Sequence, residues 1–360
     1  MIAARQAHSG LSVSKAVVVG LAAAAALAPV PAPTVERFYS SSVFPVWQSW
    51  MTAASNAVPF AVFDCLIVAV ALAWLWALVA DVRRRPSHGR WRMLWRIVSR
   101  TVVWSAALYV AFLASWGLNY RRIALEEKLG FQAPRVSAAA AEALAALAAA
   151  RMNALYAPAH AAGWLTDPVV DRHLASAFSE AERALGATRF TVPSRPKHTW
   201  LDLYLRRAVV DGMTDPFFLE TLVAGDLLPF ERPFVTAHEW AHLAGYAHEG
   251  EANFVGWLAC LRGGEAYQYS GWLFLYNEAG STLPRPDRAN VAARLAPGPR
   301  ADLRAVSDRV ARNASPRVAA AGWRVYNQYL KANRVESGIA SYTEVLRLIL
   351  GTRFNPIPPT

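Results

Sequence analysis

The sequence predicts a membrane-anchored protein: three N-terminal transmembrane helices followed by a mainly α (α+β) domain with a small sheet. Three observations lead there. Hydrophobic residues make up 54% of the 360 and mean hydropathy is positive, high for a purely soluble chain. Three apolar stretches occupy the first third, and the residues after about 120 suffice for one globular domain with its own core. The positive charge is also concentrated. Seven arginines (Arg83, Arg84, Arg85, Arg90, Arg92, Arg96 and Arg100) and no acid lie between Val82 and Arg100, so this segment carries +7 of the net +11.

The first apolar stretch, Ala16 to Ala32, is alanine-rich and broken by Pro29 and Pro31. A cleaved secretory signal is its rival reading, with Lys15 as the charged flank and Val30-Pro31-Ala32 as the cut. Pro33 after the cut is unfavourable, so an uncut span over about 16–32 is preferred. The second span is Val58 to Ala80 and the third Ile97 to Asn119, each long enough for the ~20 apolar residues that cross a bilayer. Between them the arginine-rich loop, 82–96, reads as cytoplasmic rather than as a groove for phosphates, which argues against nucleic acid. Residues 1–122 thus form the transmembrane region, and 123–360 a domain on the extracytoplasmic side. Asp64, near the outer end of the second span, is expected at the interface. Cys65 and Cys260 are too few and too far apart for a thiolate metal site and are expected as small buried hydrophobes without a disulfide.

In the domain, Ser137 to Tyr156 is a helix by propensity and Asp171 to Leu185 by periodicity. From 187 to 233 five prolines interrupt the pattern, and short strands fit at "TRFTV" and "FFLETLV". A segment within 216–228 is expected to form an edge strand able to pair with extended peptide. Helical periodicity returns from 234 through Leu261, from Tyr267 to Glu278, and over 301–334 and 341–350. No internal repeat is present.

The chemistry concentrates in "TAHEWAHLAGYAHEGEANF", residues 236–254. His238-Glu239-Trp240-Ala241-His242 is an HExxH motif. Residues four apart on a helix lie about 40° apart around its axis, so both imidazoles can reach one metal while Glu239 sits on the adjoining flank, placed as a base. Composition alone gives about 0.01 chance matches in a chain of this length. The bland reading, an incidental histidine pair on a surface helix, conflicts with the apolar flanks Phe234, Val235, Ala237, Ala241 and Ala244.

Two patterns compete for the third ligand. "HEWAHLAGYAH" fits HExxHxxGxxH, the metzincin pattern, which makes His248 a ligand. That pattern needs a methionine turn further on, and no methionine follows residue 248. Alternatively Gly245 ends the motif helix, Gly250 breaks the chain again, and a second helix starts near Glu251, with Val255 and Leu258 on the same face. Glu251 would then complete a His, His, Glu set of gluzincin type with a position left for water. Glu251 is favoured over His248, and Glu249 is the remaining choice. On this reading the hydrolase expectation depends on residue 251 facing the histidine pair.

"HEWAHLAGYAHEGEANF" followed by "YSGWLFLY" resembles the bacterial membrane family catalogued as domain of unknown function 3810. The likeness extends to "PTVERFYSSSVFPVWQSW", "VPFAVFD", "WGLNYRR" and "YNQYLKANRVESGIASYTEVLRLILG". It implies a zincin-like domain of gluzincin type in the bacterial inner membrane, binding Zn2+ through His238, His242 and Glu251. Trp240 stands where smaller aliphatic residues are common in that family.

The expected function is hydrolysis of a peptide or protein substrate by metal-activated water, with Glu239 as general base. The competing expectation is a non-catalytic envelope sensor or scaffold with a structural metal, which a fourth protein ligand would close. Intramembrane proteolysis is set aside because residues 229–251 are too charged. Asn253 is a candidate partner of the ligands, and Tyr267, Tyr269 and Tyr342 are candidates to polarise a substrate carbonyl.

Overall fold

The computed structural model describes residues 2–83, 89–166, 168–332 and 344–357. The N-terminal part comprises α1 (Ile2–Leu27), α2 (Ala32–Val35), a π-helical stretch (Glu36–Val43), α3 (Phe44–Asn56), α4 (Val62–Arg83) and α5 (Gly89–Ser115). Then follow α6 (Leu125–Lys128), α7 (Ala138–Ala162), α8 (Arg172–Ala184), β1 (Pro196–Lys197), α9 (Asp202–Ala208), β2 (Gly212–Thr214) and β3 (Thr221–Val223). The remainder is helical: α10 (Arg232–Leu243), α11 (Glu249–Cys260), α12 (Glu265–Thr282), α13 (Arg285–Ala293), α14 (Pro297–Asn313), α15 (Pro316–Ala332) and α16 (Glu344–Gly351).

Among the described residues, α4, residues 93–115 of α5, and α7 are long and apolar enough to cross a bilayer. α7 qualifies through its alanines, yet it packs along α12 and buries Leu144, Ala145, Ala148, Ala149 and Met152 in the core. The first apolar stretch reaches that level only as part of a pair of helical segments bent by 114°, with Pro29 and Pro31 in the break. The other two spans are displaced from expectation. Val58 to Ala61 is a turn before α4, and α5 stops at Ser115, so Trp116 to Asn119 leave the helix. Residues 84–88 of the arginine-rich loop lie outside the described residues. From Gly89 the chain is helical, and Arg100 pairs with Asp81 of α4 at 2.8 Å.

Asp64 is buried rather than exposed at an interface. Its carboxylate accepts from Thr199 Oγ1 at 2.5 Å and the Trp200 N–H at 2.9 Å. Beside it, Glu220 accepts from the Val62 and Phe63 N–H groups at 3.1 and 3.0 Å, satisfying orphan donors at the start of α4, and pairs with the buried Lys197. These contacts fasten the first turn of α4 to the sheet. Cys260 is buried as expected, whereas Cys65 is exposed; both are free.

The sheet has the order β1-β3-β2, with β1 parallel and β2 antiparallel to β3, and Met213 opposite Leu222. β3 falls inside the expected "FFLETLV" segment but is the buried central strand, so the expected edge strand is corrected: the edges are β1 and β2. "TRFTV" forms no strand. Gln48 and Asn56 of α3 hold the backbone of Val192, Pro193 and Arg195, and the Glu182 carboxylate accepts from the Thr191 N–H, so side chains take the ladder's place. The α7 and α8 boundaries follow caps legible in the chain: Ser137 accepts from the Ala140 N–H, and Asp171 from His173 and Leu174. α10 and α11 lie at the centre of the core, and almost every residue of both is buried.

Candidate metal centre

α10 ends where the sequence expects. Ala244 caps it and Gly245 takes φ +83°, while the Gly245 N–H bonds to His242 O and the Tyr246 N–H to Ala241 O. This is the double bond of a Schellman turn, which only a left-handed residue closes without strain. The residues leaving α5 complete the cap. Trp116 donates its indole N–H to His242 O at 2.8 Å, and Arg122 donates to Gly245 O at 3.0 Å. The turn also aims a ligand. The Tyr246 carbonyl lies 2.8 Å from His242 Nδ1, so the ring presents Nε2 to the site.

α11 begins two residues earlier than expected. His248 is its N-cap residue, Glu249 its first helical residue, and Gly250 is inside the first turn. Glu249 is thereby brought to the histidines. Its Oε2 lies 3.3 Å from His238 Nε2 and 3.7 Å from His242 Nε2, and the two Nε2 atoms are 3.1 Å apart. Among the described residues, His238, His242 and Glu249 form the group able to share one ion. Tetrahedral zinc with ligands at about 2.0–2.2 Å separates its donor atoms by about 3.3–3.5 Å, so these donors fit such an ion with little movement. His238, at 14% side-chain exposure, is the most open of the three.

The structure places Glu251 away from the histidine pair. Residues two apart on a helix point about 200° apart, so a face that presents Glu249 turns Glu251 away. Glu251 accepts the Leu125 N–H and acts electrostatically on Arg122 and Lys128. These residues also meet Glu36, whose Oε1 lies 3.0 Å from Arg122 Nη2 and 2.6 Å from Lys128 Nζ. Glu251 therefore holds the chain leaving α5 against the start of α11. His248 stacks edge-on against Tyr120, 5.8 Å between centroids, and is not in the ligand group.

Close approach of the two helices depends on Gly256. A Cβ there would lie 2.9 Å from the His238 backbone N and 3.0 Å from its Cα. Trp240 packs on the other side of α10, fully buried edge-on to Phe178, and donates its indole N–H to Ser194 O at 2.8 Å. The large residue at this motif position is thus accommodated in the core.

Glu239 stands outside the ligand group, 3% exposed, with Oε2 2.8 Å from Thr214 Oγ1 on the edge strand β2. Burial raises its pKa, opposed by His238, His242 and Thr214. Burial also opposes ionisation of Glu249, but the adjacent imidazoles override it and hold that carboxyl well below the ordinary range. For His242, burial disfavours the proton, yet Glu249, Glu239 and the Tyr246 carbonyl together raise its pKa to about 9. Without a metal the site holds an imidazolium beside a carboxylate.

Sequence reasoning overlooked Thr214 and Glu278. Ser270, Phe274 and Glu278 recur every four residues along one face of α12. Ser270 Oγ accepts the Phe234 N–H at 3.1 Å, and the Phe274 ring stacks on Phe234 at 3.7 Å. One turn further along both helices come His238 and Glu278. Burial raises the Glu278 carboxyl to about 7, with His238 pulling the other way. His238 Nδ1 is itself buried without a hydrogen-bond partner among the described residues. The fourfold spacing was the available signal.

The remaining candidates play other parts. Tyr267 donates to the Asp171 carboxylate at 2.8 Å and Tyr269 to Asp302 at 2.6 Å. Asn253 is buried with its Nδ2 unpartnered among the described residues and makes no bond to a ligand. Tyr342 lies outside the described residues.

No curated protein and no solved structure matches this chain. A family model described as "Protein of unknown function (DUF3810)" matches residues 39–350, from the π-helical stretch to the last helix, and the chain belongs to that family.

Proposed function

We propose that this chain is a zinc-dependent metallopeptidase anchored in the bacterial inner membrane, hydrolysing peptide bonds on the extracytoplasmic side. Glu251 turns away from the pair, so the reading that depended on it fails in that form; it is proposed instead with Glu249 in its place, where His238, His242 and Glu249 would hold the ion. The observation that carries the reading is the convergence of these three donors with a separate buried carboxylate, Glu239, beside them. Zinc bound there would supply Lewis acidity to the attacking water and to the substrate carbonyl. Glu239, braced by Thr214, takes the proton of the attacking water and delivers it to the departing amine. β2 is the edge strand that touches Glu239, and its outer edge is where an extended peptide would add by backbone hydrogen bonds.

The scaffold reading predicts a fourth protein ligand and gives Glu239 no task. The three-membered donor group and the position of His248 against Tyr120 favour catalysis instead. The test compares full-length wild type with Glu239→Gln in detergent or nanodiscs. Zinc content should be equal, one ion per chain, while hydrolysis of a denatured protein substrate should fall by about 10²–10⁴-fold, the usual worth of a general base. Equal hydrolysis in the two proteins, or no zinc in either, overturns the proposal.

A further inference from the structure

Residues 32–56 invert the pattern of a water-facing helix. Their polar side chains are inside: Ser40, Gln48, Thr52 and Ser55 are each at most 4% exposed. Gln48 exchanges two hydrogen bonds with the Val192 backbone, Thr52 donates to Leu219 O at 3.0 Å, and Ser40 donates to Asn119 Oδ1 at 2.9 Å. The outward face carries large apolar side chains: Phe38, Val43, Val46, Trp47 and Trp50 are exposed, Trp50 at 75%, with Arg37, Ser41 and Ser42 among the polar exceptions near its start. A helix that keeps its amides inside and its tryptophans outside is matched to an apolar surrounding, not to water.

The position says which surrounding. The segment starts after the 114° bend that separates it from α1 and ends five residues before α4, a helix able to cross a bilayer. A helix turned by 114° from the segment before it and followed closely by a membrane-crossing helix fits the plane of the headgroups, where tryptophan is enriched. A second apolar patch adjoins the same level. Trp200, 76% exposed, and Leu203 and Tyr204 of α9 follow directly on the backbone N–H that Asp64 accepts in the first turn of α4.

We propose that residues 32–56 form an in-plane interfacial helix, seated with Phe38, Val43, Val46, Trp47 and Trp50 in the headgroup and upper acyl region of the lipid bilayer. Trp200, Leu203 and Tyr204 extend the footprint. Lipid is the occupant because the helix runs within five residues into α4, a helix able to cross a bilayer, and the exposed patch at the start of α9 is fastened to the first turn of that same helix. The inference does not depend on the peptidase reading. Its consequence is mechanical: the buried face grips the irregular segment leading to β1 and, through Ser40 and Asn119, the chain that caps α10.

The test uses full-length protein in nanodiscs of phosphatidylethanolamine and phosphatidylglycerol, with Cys65→Ser as background. Spin labels are placed singly at Val43→Cys, Val46→Cys and Trp50→Cys, and at Arg172→Cys as an exposed site on α8. All four positions are on the surface, so folding is not at stake, and each variant is checked for the wild-type melting temperature. The expected result is that the first three labels are reached several-fold better by dissolved oxygen than by a nickel chelate, with the reverse at 172. Nickel access at 43, 46 and 50 equal to that at 172 overturns the proposal. So does spin–spin broadening at these positions that vanishes on dilution with unlabelled protein, which would make the face an interface between two copies.

Discussion

Glu249 and Glu251 stand two residues apart in the first turn of α11 and face opposite ways: one carboxylate closes on His238 and His242, the other accepts the Leu125 N–H. Substitution separates the two roles. Glu249→Ala should purify without stoichiometric zinc. Glu251→Ala should keep its zinc and lose about 1–3 kcal/mol of stability, the cost of leaving a buried donor unpaired. Elemental analysis and thermal melting of the two variants check this, and the opposite pattern of zinc content would return Glu251 to the metal.

Gly256 makes a second prediction. A methyl group there meets the His238 backbone, which cannot yield as a side-chain tip can. Gly256→Ala should cost about 1–3 kcal/mol through overpacking and weaken zinc binding by moving α11 off α10. Gly280→Ala is the control, because its added Cβ meets nothing within 4 Å. Chelator competition should show a tighter-binding control; equal affinities would mean that helix spacing does not govern the site.

Metal uptake should release a proton. The His242 pKa is raised to about 9 in the metal-free site, so the ring is protonated at pH 7 and must lose that proton to bind a cation. The sign follows: affinity should climb as pH rises toward about 9 and level off beyond it, where the proton is already gone. Calorimetry in buffers of different ionisation enthalpy measures the release. Buffer-independent heats at pH 7 would contradict the prediction.

Glu278 should act through His238. His238 Nδ1 makes no hydrogen bond among the described residues, so Glu278 acts on this ring through charge; loss of an outer partner of a ligand histidine typically costs about 10–100-fold in metal affinity. Glu278→Gln is expected to weaken zinc binding within that range and leave the melting temperature of the metal-free protein unchanged. A variant that binds zinc as tightly as wild type would make Glu278 a bystander.

Much of this was legible in the chain because it is local. The HExxH spacing places two imidazoles and a base on one helix whatever surrounds them. Gly245 marks the end of that helix, and Ser137 and Asp171 mark the starts of others, because a cap is a bond between near neighbours. The apolar run in α4 announces itself by composition.

The third member of the cluster was not local in this sense. It turned on whether α11 begins at 249 or 251, and two residues reverse the face. That start is set by the Schellman turn, by Trp116 and Arg122 arriving from the end of α5, and by the Leu125 N–H that engages Glu251. The inner face of residues 32–56 was not legible for a related reason: their polar side chains bond to loop backbone more than 130 positions away, so no local period shows which face is inside. By itself the sequence determined a mainly helical protein with stretches long and apolar enough to cross a membrane, a histidine pair and its neighbouring glutamate. Only tertiary contacts decided which carboxylate joins that pair, because distant backbone donors compete for the other one.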